Sequence, residues 1–250
     1  MVGPIIPSWD PDAADDPGRE TLRAQVTGDI PRWYSPWVHL AFPSTIGIGA
    51  IVLGICFLRD LHAWQLLTVP LVFVLSNAVE WRGHKFALHR RTRVAAPLYD
   101  RHTPIHHRIF VAEDMAIRSP REFRIVLIPA YGILMILAMQ LPLVTSLILL
   151  GQRNPALLAC ATSMGYVVSY EWLHLSYHLP PDSFIGRLRL VRILRRHHAT
   201  HHSPRLMQRW NMNVTIPLWD WVRGTIYTPE RAAAYAQRRE RARGPEPAQS

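Results

Sequence analysis

The sequence predicts an all-α integral membrane protein. Of its 250 residues, 49% are hydrophobic, and they gather in runs close to the length of a membrane helix. Ten of its thirteen histidines fall into four tight clusters, three in basic stretches beside these runs and one at the end of a run. Together these observations predict about four transmembrane helices in two hairpins, with a cytosolic helical cap that carries the histidine clusters.

The first two apolar runs, residues 40–58 and 66–79, are predicted to form the first hairpin. Each run approaches the roughly 20 residues that a helix needs to cross a bilayer. Only a short polar stretch around Arg59 and His62 separates the runs, so the two helices should lie antiparallel.

The second hairpin is predicted from residues 125–150 and from residues 156 to about 175. Pro129 and Pro142 interrupt the first of these runs, which predicts either one kinked span or a span followed by a short re-entrant segment. The polar link 152–155 joins the two runs.

The formal net charge of +10 is carried by arginine, because Lys85 is the only lysine. The basic residues lie between and after the apolar runs, which favours contact with lipid headgroups over nucleic-acid binding. Segments 82–124 and 187–209 are strongly basic, whereas each hairpin link carries one arginine. The positive-inside rule then places both termini and all four clusters on the cytoplasmic side. Abundant Arg, Ala and Pro with one lysine favour a high-GC bacterial origin and hence the inner membrane.

Three segments are expected along the chain. Residues 1–32 are rich in Pro, Asp and Gly and lack hydrophobic periodicity, which indicates a flexible or loosely docked tail. Residues 33–227 form the membrane domain. Residues 228–250 form a polar C-terminal tail, in which a short surface helix is expected from Arg231 to about Gly244.

The histidine clusters indicate a metal site with nitrogen ligands. Cys56 and Cys160 lie within apolar runs and form no CxxC or disulfide pattern, so sulfur ligands are not expected. Neutral imidazole binds iron, zinc and copper well, and ten imidazoles suit two metal ions with about five ligands each. The candidate ligands are His84, His89, His102, His106, His107, His174, His178, His198, His201 and His202.

Spacing within the clusters predicts which rings share a helix face, because residues at i, i+3 and i+4 lie together. The third and fourth clusters have this spacing throughout. His84 and His89 are at i and i+5, diverge on an α-helix, and could serve two different metals. Pro104 favours a helix that begins near Thr103, with His102 supplied by the incoming loop.

Ligating histidines usually donate their second N–H to a carboxylate or carbonyl. The candidate carboxylates are Glu80, Asp100, Glu171 and Asp220. An ordinary ion pair with a nearby arginine is the alternative for the last three, and an interfacial carboxylate is the alternative for Glu80.

Three histidines stand outside the predicted set. His39 and His62 are far in sequence from every cluster. His197 could replace His198, but the i, i+3, i+4 face of His198, His201 and His202 favours His198.

The order His-x4-His, His-x3-His-His and His-x2-His-His on a hydrophobic chain resembles the membrane fatty acid hydroxylase/sterol desaturase superfamily. The stretches at residues 80–90, 170–174 and 213–225 also resemble it, and the likeness covers about residues 40–227. The resemblance implies a non-haem di-iron oxygenase that uses O2 to hydroxylate a C–H bond of a lipid, such as a fatty acyl chain or a sterol. It implies that His84, His89, His102, His106, His107, His198, His201 and His202 hold two iron ions, with His174 and His178 as the additional pair of the fatty acid hydroxylase branch.

The same resemblance implies an external electron donor of cytochrome or ferredoxin type, and zinc could replace iron in a purified form. Desaturation of a sterol or acyl chain, or hydroxylation of a carotenoid ring, would use the same ligands. A membrane metal transporter or metal-binding protein is the alternative from another class. Transport usually needs polar ligands within the spans, whereas these apolar runs contain little beyond Ser, Thr, Asn77 and Gln140.

Overall fold

The computed structural model describes residues 18–243, and within this range the chain is helical and has no strand. Short 3-10 turns occur at Ala63–Leu67 and Pro120–Glu122, and π-helical turns at His84–Leu88 and His102–His106. The α-helices are α1 (Gly18–Gly28), α2 (Pro36–Cys56), α3 (Thr68–Gly83), α4 (Ala96–Arg101), α5 (His107–Ile109), α6 (Phe123–Val126), α7 (Ala130–Leu149), α8 (Arg153–Tyr177), α9 (Arg189–His201), α10 (Leu218–Arg223) and α11 (Pro229–Arg243).

Three helical segments of the described chain are long and apolar enough to cross a membrane. They are Pro36–Cys56, Ala63–Leu88 and Ala130–Leu149, with mean hydropathies of 1.8, 1.3 and 2.2. Most of each segment is not covered by the rest of the protein, as expected for helices whose outer faces contact lipid. The first three predicted runs therefore correspond to candidate spans.

The third span begins at Ala130, later than the predicted residue 125. Residues 120–126 form a separate turn and the short helix α6, and the backbone is extended at Leu127 and Pro129. Pro142 lies inside α7 without ending it, so residues 130–149 form one helix rather than a span and a re-entrant segment.

The fourth predicted run lies in α8. At 25 residues α8 is long enough to cross a membrane, but it is not among the described helices that are apolar enough. It packs against α2, α3 and α7, and its buried face carries polar residues such as Ser163, Glu171 and His174. Three candidate spans are thus found in residues 18–243 where four were predicted.

The two hairpin links meet at one end of the bundle. The Asn154 side chain accepts a hydrogen bond from the Arg59 N–H (3.2 Å) and donates to the Arg59 carbonyl (2.6 Å). It also donates to the Gln65 side chain at 2.9 Å. This arrangement leaves the other ends of α3 and α8, which carry histidines, together at the opposite end.

Glycines on α2 allow it to approach α8 closely. A Cβ atom placed on Gly47 would collide with the Val168 side chain and lie 3.2 Å from the Met164 carbonyl oxygen. A Cβ atom on Gly54 would lie 3.1 Å from the Ala161 Cβ atom and 3.3 Å from the Leu157 carbonyl oxygen. Small residues at a helix–helix contact are typical of membrane bundles, in which close packing replaces hydrophobic association.

The N-terminal segment differs from the predicted tail. Residues 18–28 form α1, and Leu22 and Val26 pack against a buried apolar cluster. Arg23 is 3% exposed and donates two hydrogen bonds to the Glu122 carboxylate, at 3.0 and 2.7 Å. Separating the pair would be costly, because either charge would then be buried in the protein interior without its partner. Residues 18–28 are thus a helix docked on the domain, and residues 1–17 lie outside the described range.

The C-terminal segment contains the expected surface helix, α11, which runs from Pro229 to Arg243. Arg209 lies over the Tyr235 ring, 4.5 Å from its centroid, and attaches α11 to the loop after α9. The predicted end of the helix at Gly244 lies outside the described residues.

Gly47→Leu should destabilise the protein, because the added side chain cannot fit between α2 and α8. Overpacking of this kind costs about 1–3 kcal/mol. Thermal unfolding in detergent would measure the loss. Gly49→Leu is the matched control, since a Cβ atom there meets nothing within 4 Å. Equal melting temperatures for the two variants would contradict the close helix contact.

Candidate metal centre

Ten buried histidines converge at one end of the bundle and form two groups of five. Each residue is at most 9% exposed, and within each group the possible ligand atoms all lie within 4.8 Å of one another. The first group is His84, His89, His102, His107 and His201. The second group is His106, His174, His178, His198 and His202.

Two π-helical turns determine the composition of the first group. In the turn His84–Leu88 the His89 N–H donates to the His84 carbonyl at 3.2 Å, so a residue at i+5 returns to the face of residue i. The Nε2 atoms of His84 and His89 are consequently 3.2 Å apart. The expectation that these two rings diverge is wrong, because it assumed an α-helical turn, and both rings lie in the same candidate group.

The turn His102–His106 acts in the same way. The His107 N–H donates to the His102 carbonyl, and the Nε2 atoms of His102 and His107 are 3.0 Å apart. His106 belongs to the second group, although its ring stacks on that of His102 with centroids 5.2 Å apart. The i, i+4 spacing of His102 and His106 therefore does not put them in one group.

Pro104 lies inside this π turn rather than at the start of a helix. The turn continues directly from α4 and leads into α5, so His102 is part of a continuous helical segment and not of an incoming loop. A proline ring normally clashes with the carbonyl of residue i−4 and removes one hydrogen bond. A widened π turn is one of the backbone forms that accommodates such an interruption.

Ordinary α-helical spacing supplies most of the second group. His174 lies one turn before the end of α8, and His178 caps that helix. His198 on α9 and His202, which caps the end of α9, join the second group with Nε2 atoms 3.0 Å apart, whereas His201 joins the first group. The two groups adjoin, because the rings of His107 and His202 stack with centroids 4.2 Å apart.

Ring nitrogens of the first group direct their lone pairs at one another. The Nδ1 atoms of His84 and His201 contact the carbonyls of Met212 and Trp210, which only accept, so each Nδ1 carries the hydrogen. The Nε2 atoms of these two rings are then unprotonated, yet they lie 3.1 Å apart. Such a contact is repulsive unless a cation lies between the atoms.

His89 has the same arrangement. The Thr103 hydroxyl donates to the Leu88 carbonyl at 2.7 Å, so it can accept from His89 Nδ1 at 3.1 Å. The unprotonated His89 Nε2 lies 2.9 Å from that of His201. For a metal–nitrogen bond of about 2.1 Å, neighbouring ligands at right angles stand about 3.0 Å apart. The observed spacings fit this value.

The second group presents buried nitrogens that lack hydrogen-bond partners among the described residues. These include the Nε2 atoms of His106, His174 and His178. His178 and His202 donate from Nδ1 to the carbonyls of Met115 (2.8 Å) and Phe110 (2.6 Å), so their Nε2 lone pairs are directed into the group. A buried nitrogen without a partner is costly, and a bound metal ion would satisfy it.

The histidine rings are held in the neutral form that binds metals. Burial lowers the pKa of His89, His107 and His198 well below the ordinary value. Burial also lowers the pKa of His202, to about 3, against a smaller opposing effect of its hydrogen bond to the Phe110 carbonyl. Neutral imidazole offers a lone pair without first losing a proton.

Comparison with known proteins agrees with this geometry. A protein-family model described as fatty acid hydroxylase matches residues 69–225, which is more than half of the chain and includes all ten candidate ligands. The chain belongs to the fatty acid hydroxylase family. Neither a curated protein nor a solved structure matches it.

The fatty acid hydroxylase family lies in the membrane fatty acid hydroxylase/sterol desaturase superfamily. The resemblance found in the sequence is therefore confirmed. The family, the two histidine groups and the apolar helices support a membrane oxidoreductase of the lipid hydroxylase or desaturase type.

Of the four predicted carboxylates, Asp100 and Glu171 do not bond to a histidine in this fatty acid hydroxylase family member. Asp100 lies at the surface and accepts two hydrogen bonds from Arg91, at 2.7 and 3.1 Å. Glu171 is buried and accepts from the Ile128 N–H at 3.1 Å, at the chain segment before α7. Asp100 therefore forms an ion pair with an arginine, which was the alternative interpretation, and Glu171 holds the chain segment before α7.

Glu80 also binds backbone rather than His84. Its carboxylate accepts hydrogen bonds from the Val214 and Thr215 N–H groups and from the Thr215 and Tyr166 hydroxyls. The loop before α10 is thereby attached to the end of α3.

Asp220 acts on the first group through the backbone. It is fully buried and accepts from the N–H groups of Met212 (2.9 Å) and Asn213 (2.7 Å). Met212 in turn presents the carbonyl that accepts from His84. His197 Nε2 lies 3.2 Å from the Asp220 carboxylate, so His197 contacts this carboxylate while His198 faces the second group.

Sequence reasoning missed the carbonyl and hydroxyl groups that orient the rings. Thr103 is the clearest example, since its position next to His102 gives no sign that it contacts His89. The role of Asn77 was not predicted either. Asn77 is fully buried and binds Tyr166, the Ile216 carbonyl and the Trp219 N–H. Its position as a rare polar residue in an apolar run was a usable signal.

Thr103→Val should weaken metal binding by the first group, because His89 Nδ1 loses its acceptor while the side-chain shape is kept. Loss of such a partner typically costs about 10–100-fold in metal affinity. Competition with a chelator would measure the change. Thr200→Val is the control, because the Thr200 hydroxyl donates to the Arg196 carbonyl and not to a ligand. Unchanged retention in Thr103→Val would contradict the role.

Proposed function

We propose that the protein is a membrane-bound non-haem di-iron oxygenase that hydroxylates a C–H bond of a lipid, using O2 and external electrons. The observation that carries this proposal is the pair of adjoining groups of five buried, neutral imidazoles, in a chain of the fatty acid hydroxylase family. A fatty acyl chain, a sterol or a related lipid is the substrate class.

Each group would hold one iron ion through its ring nitrogens. The donor set is compatible with iron, zinc or copper, and the family favours iron. The bound ions would supply the activation of O2 that allows attack on an unactivated C–H bond. No side chain is then required as acid or base for that attack, which fits a site lined by neutral rings.

The protein's own residues keep the rings in position and exclude water. The carbonyls of Met212, Trp210, Met115 and Phe110 fix the tautomer and orientation of four rings. Six of the ten histidines are 0–1% exposed. A dry site limits loss of a reactive oxidant to solvent.

The substrate would reach the site from the bilayer. The histidines lie where α3 and α8 end, and α3 is part of a candidate span. A lipid beside the bundle could therefore place a carbon of its chain near the ions while its polar end stays at the membrane surface.

We propose that both termini and the histidine groups are cytoplasmic, in a bacterial inner membrane, with α8 as a fourth span between α7 and the site. Basic residues concentrate at the histidine end, whereas Arg59 and Arg153 stand alone at the other end. The arginine-rich surface would also suit an acidic cytochrome or ferredoxin-type donor.

Desaturation by the same ligand set is the second candidate, since the family lies in a superfamily that includes sterol desaturases. Hydroxylation and desaturation differ in the product and not in the ligands. Lipid extracts from cells with and without the gene should show a species heavier by one oxygen atom. A species lighter by two hydrogen atoms would instead establish desaturation.

His201→Ala and His174→Ala should each lower the bound metal and abolish turnover, because they remove ligands from different groups. Metal analysis of purified membranes, together with product analysis, would measure both effects. His62→Ala is the control, since His62 is exposed and lies in the hairpin link. Full turnover and unchanged metal content in His201→Ala would refute its role as a ligand. Metal flux into sealed vesicles would favour a transporter.

A further inference from the structure

We propose that α9 lies in the headgroup region of the bilayer, where an exposed apolar strip enters the lipid and a neighbouring arginine face contacts anionic headgroups. The strip consists of Leu190 and Ile193. The arginine face consists of Arg189, Arg192 and Arg196. This inference is independent of the reaction that the metal centre performs.

One face of α9 is already used inside the protein. Val191 and Leu194 are buried and belong to an apolar cluster with Tyr177 of α8 and Val214. His198 and His201 continue this face into the metal centre. The strip and the arginine face lie outside the packed interior.

Both side chains of the strip are strongly exposed. Leu190 is 61% exposed and Ile193 is 53% exposed, and Phe184, in the segment leading into α9, is 84% exposed. A helix with an apolar strip beside a basic face is typical of segments that lie in the membrane interface.

The position of the strip relative to the spans points to lipid as its contact. Leu190, Ile193 and His197 are at i, i+3 and i+7 and share one side of α9. His197 Nε2 lies 3.2 Å from the Asp220 carboxylate, which accepts from Trp81 Nε1 at 3.1 Å. Trp81 belongs to the candidate span Ala63–Leu88. The strip therefore lies on the side of α9 that, at His197, is connected through Asp220 to the end of a span.

The charge of this region favours anionic lipid. Residues 172–219 contain seven arginines and one acidic residue, Asp182. Arg189, Arg192 and Arg196 are exposed, and within residues 18–243 the structure shows no ion pair for them. Arginine side chains can keep their charge at the headgroups while their stems cover apolar surface.

The contact would have a consequence for the metal centre. The same helix carries His198, His201 and His202 at its inner side and C-terminal end. A bilayer that holds the outer side of α9 would hold three of the ten histidines at a fixed depth.

Spin labelling of the full-length protein in lipid nanodiscs would test the strip. Nitroxide labels at Leu190→Cys and Ile193→Cys, in a Cys56→Ser/Cys160→Ala background, should be accessible to O2 and protected from a water-soluble nickel chelate. A label at Gln237→Cys on α11 should show the opposite pattern, since Gln237 is exposed on a strongly polar helix. Labels at 190 and 193 that behave like the one at 237, or that are shielded from both reagents by protein, would overturn the proposal.

Lipid composition would test the arginine face. The labels at 190 and 193 should lie deeper in nanodiscs that contain phosphatidylglycerol than in pure phosphatidylcholine. Replacing Arg189, Arg192 and Arg196 with Gln should abolish this difference. Replacing Arg238, Arg239 and Arg241 of α11 with Gln removes the same charge and should preserve it. An equal response of the two triple variants would refute the role of the arginine face. Neither measurement requires turnover, so an error in the proposed reaction would leave both results unchanged.

Discussion

The structure depends on keeping unprotonated imidazole nitrogens about 3 Å apart in a dry interior. His84, His89 and His201 donate from one side of the ring, which leaves three lone pairs directed at one another. Mutual repulsion would separate these rings in an ordinary core. They stay together because each ring is fixed from behind by a backbone or hydroxyl oxygen, and because a cation between them would convert repulsion into binding.

The segment from Trp210 to Thr225 provides much of this fixation and is itself attached to α3. Asn77, Glu80 and Trp81 lie along the last part of α3 and bind this segment through side chains. Asp220 then bonds the two ends of the segment together through Met212 and Thr225. The membrane span and the metal centre are thus one hydrogen-bonded unit, and a change at the end of the span would be felt by the rings.

The sequence alone was sufficient for the helical class, for three of the four predicted spans and for the convergence of the ten histidines. The assignment of rings to groups was not predictable, since it depends on two π turns and spacing rules assume α-helical geometry. The partners of the rings were not predictable either, because most are carbonyls, which every residue has. The helix α1 was missed because its attachment depends on Arg23 meeting Glu122 from 99 positions away.

The π turns change what a histidine motif means. Each turn contains one residue more than an α-helical turn, and it brings positions i and i+5 to the relation that i and i+4 have elsewhere. His84 and His89 therefore pair in space much as His174 and His178 do, although their spacings differ by one residue. Two relatives whose motifs differ by a single inserted residue can carry the same coordination sphere, so a pattern of fixed spacing would separate sequences that are equivalent in three dimensions.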